Sequence, residues 1–132
     1  MSDEKKVSTL DVLLRPELPD VRKSLEKKQV ELPRLTELAG EPVVFTLRGL
    51  TYDKVRELQE KDDGLRALYI VLEGCEDPNW RDTALLDPSR GMATPLDAIK
   101  ARLLPGEIED LSREIQRLTG YLRRTIADVK NA

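Results

Sequence analysis

The side chains that most often carry out chemistry in proteins are absent from this sequence or are poorly spaced for it. The chain has no histidine, which removes the commonest general base, the commonest zinc ligand and every Ser-His or Cys-His nucleophile pair. Carboxylates cluster at Asp62-Asp63 and at Glu73, Glu76 and Asp77, but neither cluster has the spacing of a calcium-binding loop. We interpret both clusters as solvated acidic faces, and we expect no metal site.

The glycines and the cysteine add no further chemistry. The glycines occur singly along the chain, without the Gly-x-Gly-x-x-Gly or Gly-Lys-Ser/Thr patterns that hold phosphate groups. Cys75 is the only cysteine, so it cannot form an intramolecular disulfide or a thiolate cluster, and we expect it to be a small buried hydrophobe. We predict a protein that is not an enzyme and that uses no cofactor and no small-molecule substrate. Only a buried lysine or a buried carboxylate pair would support an enzymatic function.

The composition favours a soluble, helix-rich protein that interacts with other proteins. The chain has 132 residues, of which 36% are charged, 39% hydrophobic and 4% aromatic, with a formal net charge of -3. Charges of both signs are intermixed, so no basic field attracts nucleic acid. We therefore expect protein partners and no nucleic acid.

The same sequence predicts one domain without a membrane segment. No apolar run approaches the roughly 20 residues of a membrane span, and Met1 to Lys6 lacks the apolar core of a signal peptide. We expect residues 1–8 to be a disordered tail and residues 9–132 to form a single domain. We expect a cytoplasmic location and no membrane partner.

The most regular pattern is an apolar stripe that begins at Leu104, immediately before Pro105. Its members are separated by alternating steps of four and three residues, which places them on one side of an α-helix: Leu104, Ile108, Leu111, Ile115, Leu118 and Leu122. If Ile126 and Val129 continue the stripe past Gly120, the pattern predicts a helix over about residues 106–129.

The stripe is compatible with a buried core face and with a surface that contacts a partner, and the spacing alone does not choose between them. We assign the first part to the structural core, at Ile108, Leu111, Ile115 and Leu118. We assign the last part to protein binding, at Tyr121, Leu122, Ile126 and Val129.

The remaining elements are shorter. Ser8 or Thr9 is a suitable cap for a short helix that ends before Pro16. Strand-forming residues on both sides of a turn predict a β-hairpin over about residues 28–48, with Pro33 interrupting its first arm or placing it at an edge. Caps at Thr51 and Thr94, together with amphipathic runs, predict helices over about residues 51–62, 65–74 and 94–103.

Further core positions are expected on the last two of these helices, at Leu68, Leu72, Ile99 and Leu103. The predicted fold class is α+β and mainly α-helical, with a small N-terminal β-hairpin packed on a bundle of about four to five helices.

Several short motifs occur in an order that is typical of one protein family. They are Asp77-Pro78-Asn79-Trp80, the Gly91 that precedes Thr94-Pro95, the run Leu103-Leu104-Pro105-Gly106-Glu107-Ile108 with the apolar stripe behind it, Gly120-Tyr121, and the closing Asp128-Val129-Lys130-Asn131. In order and spacing the chain resembles the XkdN-like tail assembly chaperones of long-tailed bacteriophages and prophages.

The resemblance implies a function without turnover. A chaperone of this kind binds the long, helix-rich tape measure protein before tail-tube subunits polymerise round it, keeps it soluble and extended, and then leaves. The implied partners are the tape measure protein and further copies of the chain itself, in the cytoplasm of the bacterial host and not in the mature virion. The alternative is a structural subunit or helical adaptor of a phage tail or similar assembly.

Overall fold

A three-stranded antiparallel sheet and the helices packed against it make up the protein. The computed structural model describes residues 7–129. The strands are β1 (Lys27–Glu31), β2 (Val44–Arg48) and β3 (Cys75–Asp77), with β2 in the centre. The helices are α1 (Thr9–Leu13), α2 (Pro33–Ala39), α3 (Tyr52–Gln59), α4 (Arg66–Gly74), α5 (Pro95–Arg102) and α6 (Pro105–Leu118). Single 3₁₀ turns lie at Asp63–Leu65, Thr83–Leu85 and Pro88–Arg90.

The predicted fold, a β-hairpin packed on a helical bundle, is wrong. β1 and β2 do pair in antiparallel register, with Val30 opposite Phe45. However, α2 lies between them in the chain, and β3 pairs with the other side of β2 to complete a sheet. Pro33, which the strand pattern assigns to a hairpin arm, instead occupies the first position of α2, where its fixed φ angle suits a helix.

The predicted helix starts at the two threonines agree with the structure. The Thr51 hydroxyl accepts a hydrogen bond from the Lys54 backbone N–H at 3.2 Å, which starts α3. At α5 the Thr94 hydroxyl accepts from the Asp97 N–H, and the Asp97 carboxylate accepts from the Thr94 N–H, both at 3.2 Å. Such a capping box satisfies two backbone donors that have no partner inside the helix.

The core lies where α4 contacts α3, α5, α6 and β3. Trp80 is buried and meets Phe45 of β2 edge to face, with ring centroids 6.0 Å apart. Gly74 permits the close approach of α4 to α6, because a Cβ atom there would lie 2.5 Å from Cδ1 of Ile115. Burial of these apolar side chains is the main term that stabilises the fold. The most completely buried aliphatic side chains are Leu47, Val71, Ile99 and Ile115.

Helix α6 ends at Leu118, whereas the apolar stripe predicts a helix to residue 129. The end has the geometry of a Schellman motif. The Gly120 N–H donates to the Arg117 carbonyl at 3.0 Å, and the Tyr121 N–H donates to the Gln116 carbonyl at 2.8 Å. Gly120 has a φ of 101°, in the left-handed region that glycine tolerates and other residues avoid.

The N-terminal prediction is only partly covered by the structure, since residues 1–6 lie outside the described part of the chain. Val7 and Ser8 are described and exposed. The Ser8 hydroxyl accepts a hydrogen bond from the Asp11 N–H at 3.1 Å and caps α1, so the short helix begins where the sequence indicates.

Candidate protein-binding surface

Large apolar side chains are exposed mainly in two terminal segments. We call residues 7–25 the N-terminal segment and residues 121–129 the C-terminal segment. Of the fifteen large apolar side chains that are exposed in the described residues, ten belong to these segments. They are Val7, Leu10, Leu13, Leu14, Leu18, Val21, Tyr121, Leu122, Ile126 and Val129. Exposed apolar side chains grouped in this way are typical of interaction sites.

The two segments meet at a cleft beside α3 and the end of α6. The cleft has a volume of about 560 Å³, and an adjoining part of about 190 Å³ extends it towards α4. Arg123 and Glu26, one from each side, lie 3.7 Å apart and join the two walls. The apolar lining comes from Pro19, Val21, Leu25, Leu50, Tyr52, Val55, Leu58, Ile70, Leu118 and Tyr121.

Thr119 fixes the end of α6 against the connection between β2 and α3. Its hydroxyl donates to the Ile115 carbonyl at 2.7 Å and accepts from the Leu50 backbone N–H at 3.0 Å. Leu50 is therefore held at the cleft by a hydrogen bond to the helix that forms the opposite wall. Two regular elements, α3 and α6, contribute to the cleft, and they give that part of it a defined shape.

The comparison with known families decides what kind of protein this is. Residues 62–132, more than half of the chain, match the family model described as the phage XkdN-like tail assembly chaperone protein. The chain belongs to this family. The resemblance that the sequence motifs indicate is thus confirmed. The matched region contains α4, α5, α6 and the whole C-terminal segment of the chaperone.

The fold of this chaperone also occurs in a solved structure. The crystal structure of the protein YqbN is similar to it with a TM-score of 0.62 and 22% sequence identity, over 88% of this chain and 99% of that chain. At that identity the likeness shows a shared fold. No curated protein sequence matches the chain.

The four residues that the sequence assigns to protein binding are all exposed in the chaperone. Tyr121 lines the cleft, while Ile126 and Val129 are among the most exposed apolar side chains, at 76% and 75%. The residues assigned to the core are buried, with the exception of Leu118, which is half-buried at the cleft. The buried set is Leu68, Leu72, Ile99, Leu103, Ile108, Leu111 and Ile115.

Sequence reasoning missed the apolar side chains of the N-terminal segment and Tyr52. The sequence predicts a short helix at Leu10 to Leu14, but it does not tell whether that helix is packed. In the structure α1 has no buried residue, although Leu10, Leu13 and Leu14 share one face by their spacing. Tyr52 is 72% exposed at the first position of α3, although its spacing places it on the same face as Val55 and Leu58.

Ion pairs anchor the elements behind the cleft. The Arg34 guanidinium binds the Glu107 carboxylate through two hydrogen bonds of 3.0 and 2.8 Å, and it holds the pKa of that carboxyl below its usual value. Burial alone would raise the pKa of Glu73, but Arg81, at 2.7 Å, and Lys54 outweigh burial and lower it. These pairs join α2 to α6, and they join α4 to α3 and to Arg81.

No other chemistry is evident in residues 7–129. Among them there is no group of three carboxylate or thiol side chains placed to hold a metal ion, and no helix there is long and apolar enough to cross a membrane. Burial raises the pKa of the Cys75 thiol to about 11, so the thiol stays protonated and unreactive at neutral pH. The cleft and the terminal segments are the features that suit a binding function.

Proposed function

We propose that this chaperone binds the tape measure protein of its phage tail and keeps it soluble and extended while the tail tube assembles, without catalytic turnover. The observation that carries the proposal is that exposed apolar side chains concentrate in the two terminal segments, which meet at one cleft lined by Val21 and Tyr121. A family role in tail assembly calls for protein partners, and this surface is suited to an amphipathic helix that buries one apolar face.

The cleft and the segments contribute differently to such binding. The part of the cleft formed by α3, α6 and Leu50 is held in shape by the Thr119 hydrogen bonds, so this part accepts apolar side chains at little conformational cost. The C-terminal segment exposes Leu122, Ile126 and Val129, and the N-terminal segment exposes Leu10, Leu13 and Leu14. Several chaperone copies on one long, repetitive partner add their weak contacts by avidity.

Charge plays a secondary part in this proposal. The ionic groups near the cleft occur as pairs of opposite sign, such as Arg123 with Glu26 and Arg22 with Asp20. Pairs of this kind present no strong field of one sign to a partner. We therefore expect binding to depend weakly on salt and strongly on the apolar side chains.

Co-expression with the tape measure protein tests the proposal. The wild-type chaperone is expected to co-purify with the tape measure protein and to raise its soluble fraction. The double variant Leu122→Asp/Ile126→Asp should lose most of both effects, because two charges replace apolar contacts. Its far-UV circular dichroism should remain that of the wild type, since both side chains are exposed.

The matched control is Leu38→Asp. Leu38 is 73% exposed, like the C-terminal residues, but it lies on α2 and does not line the cleft. This variant should bind as the wild type does. Full binding by the folded double variant would refute the proposed surface. Mass spectrometry of purified tails should find no chaperone, and a constant copy number there would support the alternative, a structural subunit.

A further inference from the structure

The chain just after α6 contains two residues in the left-handed backbone region. Gly120 has a φ of 101° and Leu122 a φ of 61°. Glycine adopts such angles freely, but a leucine at positive φ is strained. Leu122 is more than half exposed, so burial of its side chain offsets little of that strain.

The C-terminal segment has the pattern of a helix although it is not helical here. Leu122, Ile126 and Val129 follow each other at steps of four and three, in line with Ile115 and Leu118 of α6. In a continued helix these side chains would extend the apolar stripe of α6. Arg124 and Asp128, already 3.7 Å apart, would lie one helical turn apart on the opposite, polar side of that helix.

We propose that Gly120 is a switch between two positions at which α6 can end. In the free chaperone the Schellman motif stops the helix at Leu118. When Leu122, Ile126 and Val129 are buried on the bound tape measure helix, Gly120 becomes helical and α6 continues through residue 129. This proposal rests on the proposed function and states how the C-terminal segment binds its partner.

The balance between the two states follows from burial. A helix over residues 119–129 that buries no apolar face gains little, and a glycine in its interior weakens it further. The free chain therefore keeps the stop. Contact with an apolar partner surface adds the missing burial and removes the left-handed φ of Leu122, so helix formation is coupled to binding.

The variant Gly120→Ala tests the switch in the free protein. Alanine favours the helical conformation over glycine by about fivefold. Alanine is also disfavoured in the left-handed region that the stopped helix requires, so the equilibrium between the stopped and the continued helix should shift by a factor on the order of ten or more. Its Cβ atom meets nothing closer than Cγ2 of Thr125, at 3.9 Å, so the fold should be retained. NMR should show helical Cα shifts in residues 121–129 of the variant, and the tape measure protein should bind it more tightly by up to the same factor.

Gly40→Ala is the matched control. Gly40 also follows a helix with a left-handed φ, 78°, and has open space around it, but Pro42 prevents that helix from continuing. Gly40→Ala should leave the shifts of residues 121–129 and the affinity unchanged. A folded Gly120→Ala protein with non-helical shifts in residues 121–129 would overturn the switch.

Wild-type chaperone bound to the tape measure protein provides an independent measurement. Helical shifts in residues 121–129 are expected only in the complex, and their absence from a formed complex would overturn the coupling. If no complex forms at all, the proposed function fails. The Cα shifts of the free Gly120→Ala variant still decide whether α6 can continue past Leu118. The two failures are thus distinguishable.

Discussion

At the scale of single residues, Glu107 joins three parts of the chaperone. Its carboxylate binds the Arg34 side chain of α2 and accepts a hydrogen bond of 2.7 Å from the Leu104 N–H at the start of α6. Arg34 also donates to the Arg102 carbonyl at the end of α5, at 2.9 Å. One carboxylate therefore holds α2 against the junction of α5 and α6.

Glu107→Gln should lower stability at neutral pH and matter less in acid. Hydrogen bonds from Arg34 lower the pKa of Glu107 in the folded state. A lowered carboxyl pKa stabilises the fold above the unfolded pKa of about 4.3, and this contribution disappears as the pH falls through the folded value. Glutamine can still cap Leu104 but carries no charge. Urea midpoints of wild type and variant should differ at pH 7 and converge towards about pH 3.

The comparison variant is Glu109→Gln. Glu109 is an exposed carboxylate one turn from its partner, with 3.4 Å between it and Arg113, and exposed pairs of this kind contribute little to stability. It should change the urea midpoint only slightly at either pH. A constant difference between wild type and Glu107→Gln from pH 7 to pH 3 would contradict the assigned role of the Arg34 pair.

At the scale of elements, the fold depends on the contact of α4 with α6 at Gly74 and Ile115. A methyl group at position 74 would lie 2.5 and 2.6 Å from two carbons of the fully buried Ile115 side chain. Gly74→Ala should therefore lower the free energy of unfolding by about 1–3 kcal/mol through overpacking. Urea denaturation measures this, and adding Ile115→Val, which removes the closest carbon, should cost less than the sum of the single changes.

Gly106→Ala serves as the control for the helix propensity of alanine. Gly106 lies in the first turn of α6, where a Cβ atom added to it would meet nothing within 4 Å. Alanine should therefore leave stability unchanged or raise it by up to ~1 kcal/mol. The close contact of α4 and α6 would be contradicted if Gly74→Ala were as stable as Gly106→Ala. It would also be contradicted if the changes in unfolding free energy of Gly74→Ala and Ile115→Val were strictly additive.

Local signals in the sequence predicted the starts of α1, α3 and α5, because each of these helices begins with a side-chain cap. Thr51 and Thr94 begin α3 and α5 through hydrogen bonds made within four residues. The sheet was harder to predict. Pro33 and Gly40 enclose α2 but also suit a hairpin turn, and β3 is only three residues long, so its pairing depends on contacts distant in sequence.

The binding surface was predicted only in part, because it too depends on contacts between residues distant in sequence. Heptad spacing identified Leu122, Ile126 and Val129 as candidates, but it also predicted a helix that the Schellman motif at Gly120 ends early. Leu10, Leu13 and Leu14 have helical spacing as well. Whether a stripe is buried depends on the rest of the fold, which periodicity does not contain.

At the scale of the whole molecule, the chaperone combines a packed centre with two apolar ends. The sheet and α3 to α6 bury the core around Ile99 and Ile115, while the N-terminal and C-terminal segments carry most of the exposed apolar side chains. Such a division suits a protein that binds protein partners through its exposed apolar segments.

Hydrogen-exchange mass spectrometry of the chaperone with and without the tape measure protein tests the central claim most directly. Amides of the N-terminal segment and of residues 121–129 exchange freely when unpaired, and burial against a partner slows them. We predict slower exchange on binding in both segments and in α3, with little change in β1 and α5. Protection confined to β1 or α5, with the terminal segments unchanged, would contradict the proposed binding surface.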